Sequence, residues 1–498
     1  MKTGRTTRRP ATVAALLLAL FMAAMEMTVV STAMPTVVAE LGGALHYAWV
    51  FTAYMLTSTV TVPIYGKLAD LHGRKPVMLI AMALFLVGSM ASGQARSMEQ
   101  LIFFRAVQGI GAGGMQPMAL TIVGDIFNIE ERAKMQGVFG TVWAIAGLAG
   151  PLLGGVIVAT LSWRWVFYVN VPFGVISAAV LTFSLTENIE KRKHRLDIAG
   201  ALLLTAAVIA LLLGTDGHLP FVLLPASAVL TAIFFAVEAR AAEPILPLKL
   251  FAQRVLATSS ALSALSGGAF VGLVTFVPLY AQGVLGSTPT EAGTTIAAMA
   301  VTWPIASAIS GRLITKVGFR VLVRIGFACV AAGALVMTLL MGSGASRMAL
   351  VAASALFGIG MGIANTPLVI AVQTSVGYSQ RGVATASTMF FRNIGGTVAV
   401  GVMGVVLARA LLAGAAREAG GAELVARILG PERHDVDTTV LASIAGDLAR
   451  GLAGVMWIVT ALGVGAALVA WLFPHVATSS EVQVSPSATP PPPRNSAS

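Results

Sequence analysis

Charge is scarce in this chain: of 498 residues only 11% are Asp, Glu, Lys or Arg, about half the fraction of a water-soluble protein. That scarcity excludes a soluble globular enzyme. Cysteine is nearly absent, and the lone Cys329 excludes a disulfide framework and a cysteine metal site. The six histidines, at positions 46, 72, 194, 218, 434 and 475, stand too far apart to make a local ligand pair, so neither metal nor cofactor is expected. A phosphate-binding Gly-x-x-x-x-Gly-Lys-Ser/Thr is also missing, because Gly66-Lys67 lacks the upstream glycine. ATP is therefore not the expected energy source.

What fills the chain instead is apolar sequence, 57% of residues at a mean hydropathy of +0.86. Apolar windows of about 20 residues recur along its whole length. They lie at 11–33, 47–65, 76–94, 101–124, 135–160, 165–184, 198–214, 219–237, 255–282, 291–311, 321–341, 348–372, 383–408 and 451–473. The expectation is an all-α membrane protein with fourteen transmembrane helices. The first window follows Lys2, Arg5, Arg8 and Arg9 as a signal peptide would, but it is too long for a signal core and reads as a retained helix. A disordered or nucleic-acid-coating protein is excluded by these runs despite the net charge of +11.

Topology accounts for that charge. With alternating sides, 22 of the 32 Lys and Arg share the side of the N-terminus, eight lie opposite, and Arg105 and Arg392 fall inside spans. The positive-inside rule then puts both termini in the cytoplasm. It leaves no polyanionic partner to invoke, so the bilayer is the expected partner and nucleic acid is not.

A repeat divides the chain. Gly66 to Lys75 (GKLADLHGRK) follows span 2 and Gly311 to Arg320 (GRLITKVGFR) follows span 10, at an offset of 245. Gly109-Ile-Gly-Ala-Gly113 matches Gly358-Ile-Gly-Met-Gly362, and Arg132 matches Arg381, both at 249. Spans 1 to 6 thus correspond to 9 to 14, a transporter architecture of two halves around a central cavity. The expected organisation is a cytoplasmic N-terminus (1–10), a first half (11–190), an inserted pair (191–250) and a second half (251–475) with an external loop at 409–450. A disordered cytoplasmic tail (476–498) closes it. Gly109-x-Gly111-x-x-Gly114 fits a dinucleotide fingerprint in letters alone; within an apolar helix it reads as close packing.

Glu26 is the carboxylate well inside an apolar span, where an ionised side chain costs roughly 2.5 to 3.5 kcal/mol on insertion scales. It must line a wet cavity, find a partner or be protonated. At about 1.5 Å per residue it lies some 10 Å below the outer end of span 1, and Arg105 about 6 Å below that of span 4. A proton site and a static ion pair with Arg105 are the two readings. Arg105, Gln108, Ala112 and Gln116 form a polar stripe on one helical face, which points Gln108 and Gln116 toward a substrate cavity or toward helix contacts. Asn365 and Gln373 offer neutral hydrogen-bonding groups from the second half in the same two ways. Arg392, in span 13, has no evident carboxylate partner, and its role stays open.

At these residues the chain resembles the major facilitator superfamily, and within it the fourteen-helix drug:proton antiporter branch. GKLADLHGRK is similar to the family's loop between helices 2 and 3, and LIFFRAVQG (Leu101 to Gly109) to its helix 4 arginine motif. AGLAGPLLGG (Ala146 to Gly155) resembles its exporter motif, with Ala146 for the leading glycine, and WRWVFYVNVP (Trp163 to Pro172) a stretch of the fourteen-helix branch. Glu26, in MEMTVVSTAMP (Met25 to Pro35), stands where the family has aspartate. The resemblance implies proton coupling at Glu26 and Arg105. It also implies a conformational latch between the halves at Gly66, Asp70, Gly73, Arg74 and Lys75, and export through Gly150, Pro151, Gly154 and Gly155.

Together these readings give an expectation of a bacterial inner-membrane antiporter that exports amphipathic, cationic, drug-like molecules in exchange for protons. A dedicated exporter of one metabolite or antibiotic is the alternative within transport. A membrane sensor or scaffold on a transporter fold is the alternative outside it.

Overall fold

The computed structural model describes residues 7–127, 129–187, 197–215, 219–241, 244, 248–344, 346–376, 381–415 and 438–476. The described residues form fifteen α-helices and two short 3-10 turns, with no strand among them. Lipid offers backbone amides no hydrogen-bond partner, and a helix satisfies all of them internally. The helices are α1 (Arg9–Leu41), α2 (Tyr47–His72), α3 (Arg74–Gly93), α4 (Met98–Ile126), α5 (Ile129–Thr160), α6 (Trp165–Tyr168) and α7 (Asn170–Ser184). After them come α8 (Ile198–Thr215) and α9 (Pro220–Glu238). The last six are α10 (Arg254–Gly283), α11 (Pro289–Val317), α12 (Phe319–Gly342), α13 (Arg347–Ser375), α14 (Arg381–Ala415) and α15 (Thr438–Trp471).

Eleven helices among the described residues are long and apolar enough to cross a membrane. Missing from that set are α8, whose apolar stretch is too short (Ala199–Gly214), α2, interrupted by Thr52, Thr57, Ser58, Thr59 and Thr61, and α4, interrupted by Arg105, Gln108 and Gln116. Helices α2 and α4 pack against each other, where Thr57, Ser58 and Thr61 bond to backbone carbonyls and Arg105 to Gln108. The sixth window is two helices: Pro172 has no amide hydrogen and its ring crowds the Tyr168 carbonyl, so the ladder breaks between α6 and α7. The segment expected as an external loop at 409–450 is helical at both ends, through Ala415 in α14 and from Thr438 in α15. An apolar window stops at the first charge, whereas a helix continues while its own hydrogen bonds hold. Residues 416–437 and the tail 477–498 lie outside the described residues.

The duplication is legible atom by atom. Gly73 (φ 94°) joins α2 to α3 as Gly318 (φ 83°) joins α11 to α12, a backbone conformation that favours glycine. The Thr57 hydroxyl of α2 donates to the Ala106 carbonyl of α4 at 2.9 Å, and the Thr302 hydroxyl of α11 donates to the Ala355 carbonyl of α13 at 3.0 Å. Those pairs stand 245 and 249 residues apart, the two offsets of the repeat. The chemistry is not repeated: 249 residues beyond Arg105 stands Ser354, and beyond Gln108 stands Phe357.

In contacts, α1 packs on α5 and α7, and α4 packs on α2 and α3; α13 packs on α11 and α12, and α10 on α14 and α15. The α8 and α9 helices pair with each other and touch α2 and α14 through α8. Between the first and second sets, contacts lie in the half of the bundle farther from Arg9. There the Tyr47 hydroxyl donates to the Thr275 carbonyl (2.8 Å) and Gln282 Nε2 to the Thr32 carbonyl (3.0 Å).

Candidate functional site

Four helices of the first set deliver a buried polar network. Glu26 and Arg105 are 1% and 0% exposed, so neither charge is hydrated, and each must be met by protein. Arg105 Nη1 donates to Glu26 Oε1 at 2.5 Å and to Gln108 Oε1 at 2.7 Å. Its Nε donates to the Val50 carbonyl at 3.3 Å, and its guanidinium lies 4.2 Å from the Tyr54 ring centroid. The close approach of α4 to α2 depends on Gly109, where a Cβ would stand 2.1 Å from Thr57 Oγ1.

The second carboxylate oxygen is met from α7. Asn170 Nδ2 donates to Glu26 Oε2 at 2.7 Å and to Ser89 Oγ at 3.0 Å, while the Ser89 hydroxyl donates to the Phe167 carbonyl at 2.8 Å. Arg105 Nη2, Gln108 Nε2 and Asn170 Oδ1 are buried with no partner among the described residues. A network closed from water with polar atoms to spare has room to rearrange its hydrogen bonds.

Of the readings left open at Glu26 and Gln108, the structure shows the partnered one. Glu26 does not face a wet cavity: it is enclosed by α2, α4 and α7, with Arg105 and Asn170 meeting its two oxygens. Gln108 faces Arg105 rather than a substrate cavity. Gln116 and Asn365 are half-buried elsewhere, and Gln373 donates to Thr385 Oγ1 at 3.4 Å, so none of the three joins the network.

Around the loop after α2, the Glu187 carboxylate accepts from the Arg74 and Lys75 amides at 2.7 and 3.0 Å, capping α3. Lys75 Nζ donates to the Thr182 and Leu185 carbonyls, both at 2.7 Å, and Arg74 Nε pairs with Asp125 Oδ2 at 3.1 Å. These contacts tie α3 to α4 and to the end of α7, within the first set; they are not contacts between the halves. Asp70 stands in the last turn of α2, its side chain outside what the structure describes, and Gly66 has no atom within 4 Å of a would-be Cβ.

The glycine-proline stretch in α5 does join the sets. A Cβ at Gly150 would lie 2.0 Å from Thr28 Oγ1 and one at Gly154 2.2 Å from Thr32 Oγ1, so both glycines face α1. A Cβ at Gly155 would lie 2.4 Å from Thr290 Cα, and one at Gly293 2.5 Å from the Pro151 carbonyl oxygen. One helix thereby packs on α1 with one edge and on α11 with the other.

A sequence model of the Major Facilitator Superfamily matches residues 16–400. The chain belongs to that superfamily. It is 37% identical over 415 residues to the multidrug transporter protein MdtP of Bacillus subtilis (strain 168), covering 82% of this chain and 76% of the relative. To multidrug resistance protein 3 of the same organism it is 38% identical over 400 residues, 78% of each. In fold, this superfamily member is similar to a bacterial homologue of the human lysosomal transporter Spinster in an inward-facing, unoccupied conformation. There the TM-score is 0.67 at 14% identity, covering 94% of this chain and 98% of the other. As a superfamily member with transporter relatives, the chain is a multi-pass membrane transporter and not an enzyme.

Sequence reasoning missed Asn170, Ser89, Asp125 and Glu187. Asn170 carried a signal, being the one amide side chain in WRWVFYVNVP; the others lie far in sequence from their partners, and nothing local marks them.

Proposed function

We propose that this superfamily member is a proton-driven exporter of amphipathic, drug-like molecules in a bacterial cytoplasmic membrane, with both termini in the cytoplasm and no use of ATP. The observation that carries the coupling is the enclosed Glu26–Arg105–Asn170 network. Protonating Glu26 removes the charge that holds Arg105, and breaking a buried pair by removing one partner is worth about 3 to 5 kcal/mol. An entering proton supplies about 2.3 kcal/mol per 100 mV, besides the pH gradient. The two energies match in scale, so one proton suffices to switch the pair between joined and parted states. Since Glu26 is enclosed here, coupling requires α1, α4 and α7 to part within the first set, a movement additional to the rocking of one set against the other.

The expectation of a cationic cargo drew on an unpaired Glu26; with that charge committed to Arg105, this proposal specifies only an amphipathic cargo. The same enclosure favours a second reading, in which the pair is a fixed strut of the first set. Glu26→Gln in proteoliposomes separates the two: loss of pH-driven drug movement with wild-type folding supports coupling, and undiminished pH-driven movement supports the strut.

A further inference from the structure

Arg392 is the basic residue near the middle of the second set, about 16 Å in from the start of α14 at 1.5 Å per residue. Its stem lies against α10, where a Cβ at Gly267 would meet Arg392 Cγ at 2.9 Å. Its guanidinium lies 5.8 Å from the ring centroid of Trp303 in α11, and Trp303 meets Phe270 of α10 edge to face at 5.4 Å. Arg392, Trp303 and Phe270 are each half-buried. The three side chains converge from α10, α11 and α14.

The contrast with Arg105 is the telling observation. Arg105 is fully enclosed and bonded to Glu26, Gln108 and the Val50 carbonyl. Arg392 has no carboxylate and no hydrogen-bond acceptor among the described residues; its one polar contact is the face of Trp303. An intramembrane cation with no carboxylate beside it among the described residues is a candidate functional site. A planar guanidinium beside an aromatic wall fits a carboxylate joined to a ring, the fork taking both oxygens and the indole taking the ring face.

We propose that Arg392, Trp303 and Phe270 form a recognition site for the carboxylate end of an aromatic, amphipathic cargo. The proposal rests on the exporter reading and names its substrate class. It carries an electrical consequence: a proton moving in against a monoanion moving out transfers two positive charges inward, whereas a proton exchanged for a monocation transfers none.

Two matched probes test it, 1-naphthoate and 1-naphthylmethylammonium, with the full-length protein in nanodiscs for binding and in inside-out vesicles for transport. The wild type is expected to bind naphthoate, and Arg392→Gln to weaken that binding at least about tenfold, the scale of one charged hydrogen bond. Ammonium binding should not change with that substitution, and Arg392→Lys should recover part of the loss. In vesicles, a lumen-positive potential should speed naphthoate uptake. Equal naphthoate binding by wild type and Arg392→Gln overturns the proposal. Should Arg392→Gln fail to fold, Trp303→Leu serves in its place, and naphthoate binding unchanged there overturns it equally. If the wild type carries the ammonium probe under a pH gradient and does not bind naphthoate, export stands and this site falls. If neither probe binds or crosses, both readings fall.

Discussion

Asn170 reaches across the break between α6 and α7 to donate to Glu26 Oε2 at 2.7 Å, 144 residues away in sequence. The break that Pro172 imposes gives this amide its position, and the amide fixes the second oxygen of a carboxylate whose first oxygen Arg105 holds. Asn170→Leu removes that donor inside a sealed site and should cost about 1 to 3 kcal/mol, the penalty for an unmet buried acceptor. Thermal unfolding in detergent measures it, and a Tm equal to that of the wild type would remove Asn170 from the network.

Arg105→Gln leaves the Glu26 carboxylate buried without its counter-charge and should destabilise the protein by about 3 to 5 kcal/mol. Adding Glu26→Gln removes the orphaned charge, so the double variant should recover much of that stability while pH-driven transport stays lost. A double-mutant cycle on unfolding, run beside a transport assay, separates the two effects. Stability that falls further in the double variant would contradict the pairing.

At the seam of α5 and α11, Gly155→Ala places a methyl carbon 2.4 Å from Thr290 Cα, which is backbone and cannot rotate away. The helices must part, at a cost of about 1 to 3 kcal/mol for overpacking. A cysteine at Gln282, in a Cys329→Ser background, should then react faster with an impermeant maleimide. Unchanged labelling would show that the far end does not depend on this contact.

Gly318 has open space around it and a φ of 83°, so Gly318→Ala tests backbone strain alone. The expected loss is about 1 to 3 kcal/mol, the penalty for a Cβ at positive φ with ψ of 158°, a region essentially confined to glycine. Gly73→Ala, at the matching turn, should lose a similar amount by the same unfolding measurement.

Much of this architecture is written in composition and spacing. Apolar windows mark most of the helices because lipid exposure demands apolar side chains, and the offsets of 245 and 249 mark the duplication because packing glycines and threonines recur with it. Glu26 and Arg105 were legible as partners because both are charges at one depth. Asn170 was not, since its place depends on a helix break that apolar periodicity cannot register. Nor could the direction of Arg74 and Lys75 be read, because Asp125 and Glu187 are surface acids by composition and become their partners only when α3, α4 and α7 assemble. Helix ends were misplaced at 409–450 for a simpler reason: hydropathy reports where oil ends, and backbone hydrogen bonding carries α14 and α15 beyond it.

The twinned threonine bonds, Thr57 to Ala106 and Thr302 to Ala355, show that both copies kept one scaffold, while Ser354 stands where the first copy has Arg105. Ancestral duplication therefore left a symmetric frame in which the buried Glu26–Arg105 pair belongs to the first copy, with Val271 and Ser354 at the matching positions of the second. If Glu26 is the coupling site proposed above, its one carboxylate carries at most one hydrogen ion per turnover. A coupling ratio above one would have to come from chemistry that the second copy does not carry at the equivalent position.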